Sequence, residues 1–195
     1  MPPVETPAPY SPPIRCDKSW IHTWSGRTFW PLSPATADVE ARDITVALSR
    51  RARFSGMTVN FYSVAQHSVE VSRRAGTEEM AKWGLLHDAA EAYLPDFVRP
   101  LKRLFPTFYQ VEDHLLSVIG ARFGLALPLP PEVVVADDRM CMTELRDLFG
   151  DRESGYRMAG VEPYEDRLNP DTWPPDFAAG QFQAEFRRLF GPSYW

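Results

Sequence analysis

Between residues 38 and 150 the chain carries apolar residues at helical spacing in five successive stretches, and three of these set a histidine or an acid on the apolar face. Asp38 is placed to cap a helix over about 39–53, in which Ile44, Ala47, Leu48 and Ala52 recur before Ser55-Gly56 breaks it. Ser63-x-x-Gln66 has the form of a capping box, after which Val64, His67, Ser68 and Val71 share a face up to Gly76. A third helix is expected over 78–93, closed by Pro95, with Leu86, His87, Ala90 and Glu91 on one side. Two more follow, over about 107–123 with Gly124 beyond the end, and 131–149 with Pro131 at the start and Gly150 at the stop. A last helix over 178–190 ends at Gly191-Pro192, ahead of the aromatic pair Tyr194 and Trp195.

Outside the helices the signals are weaker. Six of the 19 prolines fall within the first 13 residues, so that stretch is expected to be an extended arm. The runs Ile21-His22-Thr23-Trp24 and Arg27-Thr28-Phe29-Trp30 flank Ser25-Gly26 and predict a small aromatic β-hairpin with a two-residue turn, packed on the helices. The sum is a mostly helical, all-α fold: an arm over 1–19, then one domain over 20–195 with its core at 38–150 and a C-terminal extension at 151–195 that is proline-rich and loop-like over 160–175. With 44% hydrophobic and 24% charged residues the chain can bury a core. No apolar run approaches the roughly 20 residues that span a bilayer, and no signal segment opens the chain, so the expected setting is cytoplasmic and away from membranes. Cys16 and Cys141 are too few for a disulfide framework and too far apart for a CxxC site. A net charge of −5 argues against polymeric nucleic acid as a partner and leaves room for a local basic pocket.

The chemistry concentrates in His67, the pair His87-Asp88, and Asp137, each expected inside a helix. Burying such groups without partners costs on the order of a few kcal/mol, and a shared divalent cation satisfies several at once. Two histidines with aspartates suit manganese, iron, cobalt, nickel or zinc. Neighbouring residues on a helix point about 100° apart, so His87 and Asp88 reach one ion only from a helix facing it closely. A single His-Asp pair decides nothing; the ordered series His, His-Asp, Asp, with Glu91 one turn beyond, is what points to a metal.

Three segments carry a family resemblance. Val64-Ala65-Gln66-His67-Ser68, Leu85-Leu86-His87-Asp88-Ala89-Ala90-Glu91 and Ala136-Asp137-Asp138-Arg139 resemble the metal-binding motifs of HD-domain phosphohydrolases. The resemblance extends over about 40–150 and is closest to the branch holding bacterial 5′-deoxynucleotidases and bacteriophage dATP triphosphohydrolases. It implies a single HD-domain helical bundle in which His67, His87, Asp88 and Asp137 ligate a divalent ion, Mn, Co, Zn, Ni, Fe or Mg, with Asp138 as the competitor for the fourth place. Asp88 and Glu91 would be the catalytic acids, Glu91 orienting and deprotonating the attacking water. The pattern Asp-x-x-x-Pro-x-Lys at Asp96, Pro100 and Lys102 implies a sugar 3′-hydroxyl contact at Asp96 and a phosphate contact at Lys102. Arg53 would clamp phosphate and Phe54 stack on the base. Relatives are homo-oligomers, so a dimer or hexamer is expected.

The implied activity is metal-dependent hydrolysis of a small-molecule deoxynucleotide. Arg53, Arg99, Lys102 and Arg103 tilt the expectation towards a deoxynucleoside triphosphate, dATP in the phage-type case, releasing triphosphate. The alternative is a 5′-deoxynucleotidase acting on monophosphates, and a further one is a catalytically silent nucleotide-binding regulator.

Overall fold

The computed structural model describes residues 10–16, 18–95, 97–150, 156–168 and 173–195. Near the N-terminus β1 (Ile21–His22) and β2 (Thr28–Phe29) pair antiparallel, with Ile21 opposite Phe29 and His22 opposite Thr28. Their connection is a three-residue loop over 24–26, longer than the expected Ser25-Gly26 turn. The Thr23 N–H donates to the Arg27 carbonyl and the Gly26 N–H to the Thr23 carbonyl, each at 3.0 Å. Gly26 sits at φ +83°, where a left-handed glycine lets a type I turn join twisted strands. The hairpin does pack on the helices. Buried Asp43 accepts from the Ser25 N–H at 2.7 Å and the Ser25 hydroxyl at 2.9 Å, and the fully buried Phe29 ring stacks 3.9 Å from Tyr93.

Asp38 does not cap a helix. It closes a 3₁₀ turn, Thr36–Asp38, and its carboxylate takes the Arg15 guanidinium at 2.5 Å. The described part of the proline-rich arm is therefore tied to the domain, with the Tyr10 hydroxyl also donating to the Leu32 carbonyl. The first helix, α1 (Ala41–Arg50), is shorter at both ends than the spacing predicts. Next, α2 (Val64–Arg74) begins as expected, Ser63 Oγ accepting from the Gln66 N–H at 3.0 Å. The reciprocal half of the capping box is absent, because the Gln66 side chain instead accepts from the Trp173 N–H.

The expected helix over 78–93 is two pieces. α3 (Glu78–Leu86) ends before the His-Asp pair, Asp88 leaves helical geometry at φ −97° and ψ 11°, and a 3₁₀ turn follows at Ala89–Ala92. A short helix, α4 (Arg99–Lys102), lies where a loop is expected. The remaining helices, α5 (Pro106–Arg122), α6 (Pro131–Asp147) and α7 (Pro175–Phe190), start within three residues of their expected positions, each with proline in the first turn.

α2 is the hub of the domain, packed against α1, α3, α6 and α7. Ile44 and Leu48, Val64 and Val69, Trp83 and Leu86, Leu115 and Ile119, and Phe182 and Phe186 close the core around it. A helix enclosed in this way buries polar groups too, and each must find a partner. Ser68 donates to the Val64 carbonyl at 2.9 Å and Ser72 to the Ala81 carbonyl at 2.8 Å. At the far end Tyr194 and Trp195 dock against Phe123 and Phe186. No helix among the described residues is long and apolar enough to cross a membrane.

The α2–α3 contact depends on a glycine. A Cβ at Gly84 would stand 2.9 Å from Ser72 Cα and 3.1 Å from Ser72 N, atoms of the facing backbone that cannot swing aside. Gly84→Ala is expected to destabilise the fold by about 1–3 kcal/mol, the usual range for overpacking, seen as a lowered midpoint in thermal denaturation.

Candidate metal centre

α2, the end of α3 and α6 bring His67, His87 and Asp137 together as a group that can hold a metal ion. His67 is fully buried on the hub helix; the other two lie at the edge of a cavity. His67 Nε2 stands 3.2 Å from His87 Nε2 and 3.1 Å from Asp137 Oδ1, and His87 Nε2 is 3.7 Å from that same oxygen. Asp88 Oδ2 joins them at 3.4 Å from His87 Nε2 and 3.7 Å from His67 Nε2. Donor atoms bound about 2.1 Å from a common ion stand roughly 3.0–3.4 Å apart when adjacent, so these spacings fit a shared cation.

The ring orientations support the same fit. His67 Nδ1 donates to Glu144 Oε1 at 2.6 Å, and His87 Nδ1 donates to the Gly84 carbonyl at 2.8 Å. With both Nδ1 protons committed, both Nε2 lone pairs point at one spot, which is repulsive until a proton or a cation sits between them. Without a metal the carboxylates favour protons there. Burial lowers the His87 pKa, but Asp88 and Asp137 outweigh it and lift it to about 9; His67 is raised too, against burial and the Arg53 charge, chiefly by Glu144. Asp137 is held well below the carboxylate range by both histidines despite its burial, and Asp88 is lowered in the same way.

Glu144 is the participant that sequence reasoning missed. It lies seven residues after Asp137, two turns along the same face of α6, and an acid at that spacing among Met140 and Cys141 is the signal that would have found it. Arg53 occupies its other oxygen: Arg53 Nη2 is 3.0 Å from Glu144 Oε2, and Nη1 is 3.4 Å from Asp88 Oδ2. Burial disfavours the Arg53 charge, yet Glu144, Asp88 and Asp137 hold it firmly protonated.

Above these groups opens a cavity of about 480 Å³ walled by Arg53, Phe54, Glu91, Phe97, Lys102, Leu145 and Tyr156, with Asp88 and Asp137 in its floor. Phe54 is set by unusual backbone: it and Ser55 both have positive φ, +51° and +52°, and its ring meets Phe149 edge-on at 5.3 Å. Glu91 is buried one 3₁₀ turn past Asp88, its N–H donating to the Asp88 carbonyl at 3.0 Å. Lys102 Nζ pairs with Glu112 at 2.7 Å, which keeps the lysine protonated although burial opposes its charge. Asp96 and the side chains of Arg99 and Pro100 lie outside the described residues. The structure thus gathers His67, His87, Asp88, Asp137, Glu91, Arg53, Phe54 and Lys102 at one place. Asp137 rather than Asp138 is the member of the metal-holding group.

Two outcomes are expected. Asp137→Ala should abolish stoichiometric binding of manganese or cobalt in equilibrium dialysis, whereas Asp138→Ala should retain it. Because the pKa of both histidines is raised, each is protonated below its folded value and neutral above it, so a metal must displace protons at pH 7 and does so less as pH rises towards about 9. Calorimetry in buffers of different ionisation enthalpy should show proton release at pH 7 and an apparent affinity that climbs with pH.

No protein-family model matches the chain. Over 171 residues it is 37% identical to the uncharacterized protein YfdR of Escherichia coli, an alignment covering 88% of this chain and 96% of that one. It is also 35% identical over 125 residues to an uncharacterized protein of Rhodobacter capsulatus, covering 60% and 64% of the two chains. The match to YfdR runs nearly end to end in both proteins, and the chain belongs to the YfdR family.

Proposed function

We propose that the protein is an HD-type, metal-dependent phosphohydrolase that removes the phosphate from a deoxynucleoside 5′-monophosphate. The observation that carries this reading is the pair of Nε2 atoms 3.2 Å apart, each with its opposite nitrogen locked, facing two aspartates at the floor of a cavity of nucleotide size. His67, His87, Asp88 and Asp137 would hold a divalent ion, which supplies Lewis acidity and water acidified towards neutrality.

The chain's own residues account for the rest. Glu91, buried at the cavity wall, is placed to orient the attacking water and accept its proton. Lys102 presents a positive charge to a phosphate oxygen. Phe54 and Tyr156 offer ring faces for a nucleobase, and Leu145 and Cys141 complete an apolar wall. By the family resemblance Asp96 would meet the 3′-hydroxyl.

Charge favours the monophosphate over the triphosphate towards which the sequence alone tilts. A triphosphate tail carries roughly four negative charges, which must be met by cations as the tail loses water. Among the described residues lining the cavity the cations are Arg53 and Lys102, and each already neutralises a carboxylate, Arg53 on Glu144 and Asp88 and Lys102 on Glu112. Arg103 is exposed and lines neither this cavity nor its neighbour. A single phosphate carries roughly two negative charges, which a divalent ion alone would offset.

The test is a chromatographic product assay with manganese or cobalt against each deoxynucleoside mono- and triphosphate. Nucleoside and inorganic phosphate should appear from monophosphates, chelator should stop the reaction, and Glu91→Gln should bind metal normally but lose roughly 100-fold or more in rate. Triphosphate released from dATP would instead select the other substrate class. Bound metal with no product from either set would overturn the enzymatic reading in favour of a nucleotide-sensing scaffold.

A further inference from the structure

We propose that Glu144 is a positioning residue that holds His67 in its metal-binding tautomer, and that Arg53 is the counter-ion that keeps it there; the inference rests on the metal-centre reading and not on the identity of the substrate. Glu144 is fully buried, and its two oxygens are divided between two donors. Oε1 receives the Nδ1 proton of His67 at 2.6 Å, and Oε2 receives an Nη2 proton of Arg53 at 3.0 Å. An imidazole binds a metal through one nitrogen only if its single proton is on the other. The carboxylate accepts and never donates while ionised, so its place at Nδ1 leaves Nε2 bare, the nitrogen that faces His87 and Asp137.

Arg53 makes this arrangement asymmetric. Its guanidinium can only donate, so whatever occupies position 144 must turn an acceptor towards it. A carboxylate offers acceptors on both sides, whereas an amide offers one acceptor and one donor. In Glu144→Gln the oxygen is drawn to Arg53, and the NH2 group faces His67 Nδ1. That forces Nδ1 to accept and moves the ring proton to Nε2, where it blocks the metal. If Arg53 is also removed, the amide is free to turn over and present its oxygen to Nδ1.

The prediction is therefore a non-additive cycle, read as affinity for manganese alone by calorimetry. Glu144→Gln should weaken binding by roughly 10–100-fold, the range seen when partners of metal-binding histidines are lost. Arg53→Met removes a positive charge from beside Asp88 and sets its own baseline; measured against that baseline, Glu144→Gln should cost no more than a few-fold. A buried pair that serves only stability predicts the opposite, as large a loss on that background as in the unaltered protein, and that result would overturn the proposal. A measurement on the unaltered protein guards against variants that fail to fold: loaded with zinc, the His67 Nδ1 proton should appear as a downfield resonance protected from solvent exchange. Exchange as fast as that of an exposed imidazole would equally overturn it. Since each readout is metal binding or proton exchange, an inactive protein would count against the proposed reaction and leave this inference to its own evidence.

Discussion

Withdrawing His67, Glu144 and Arg53 from water is the constraint that orders the rest of the structure. An ionised carboxylate in the interior is tolerated only when its lone pairs are filled, and breaking one partner of such a group costs about 3–5 kcal/mol. Glu144 meets that condition from two different elements: His67 on α2 and Arg53 from the 3₁₀ turn Arg53–Gly56 that follows α1. Arg53 is itself fixed at the backbone, its N–H donating to the Tyr62 carbonyl at 2.8 Å. The loop from α1 to α2, the hub helix and α6 are thus locked together by charge rather than by apolar contact alone. The same lock aims the site.

From that lock the cavity takes its character. Its floor is acidic and its wall aromatic, and the cations that line it are already paired. Such a space repels a bare anion, and a divalent ion held at its floor would offset that repulsion. The aromatic wall contributes where charge cannot. Phe54 holds its place through two consecutive left-handed residues, a conformation costing of order 1–3 kcal/mol per residue that persists only where the surroundings impose it. Here the surroundings are the Ala52–Ser63 bridge and the edge-on contact with Phe149.

Much of this was legible in the sequence because it follows from local rules. Glycine after the end locates α5 and α6, proline marks the start of α6, the hydroxyl of Ser63 locates the start of α2, and polar residues on apolar faces locate His67 and Asp137. Other features have no local signature. Glu144 looks like an ordinary helix acid until tertiary packing sets it against a histidine 77 residues away. The ion pairs that Arg53 makes with Glu144 and Asp88 are likewise formed across the fold and leave no mark in the local sequence. Asp38 resembles a cap but is claimed by Arg15, and the hairpin loop takes in Trp24 while Ser25 is held by Asp43 from across the fold.

The missed break in the third helix bears most directly on chemistry. Continuous helix would point His87 and Asp88 about 100° apart, and one ion could scarcely take both. Ending α3 at Leu86 removes the conflict: Asp88 leaves helical geometry, and its Oδ2 comes within 3.4 Å of His87 Nε2. The same ending supplies the lock for His87. The last four carbonyls of a helix have no partner within it, and the Gly84 carbonyl, one of those four, accepts the His87 Nδ1 proton. Glycine is required there because α2 lies too close for a Cβ. One local event, the termination of a helix against its neighbour, therefore brings two adjacent side chains into register and fixes the tautomer of one of them. An His-Asp pair inside a continuous helix would have neither property, so its position relative to the helix end, and not its presence, is what suits it to face a cation.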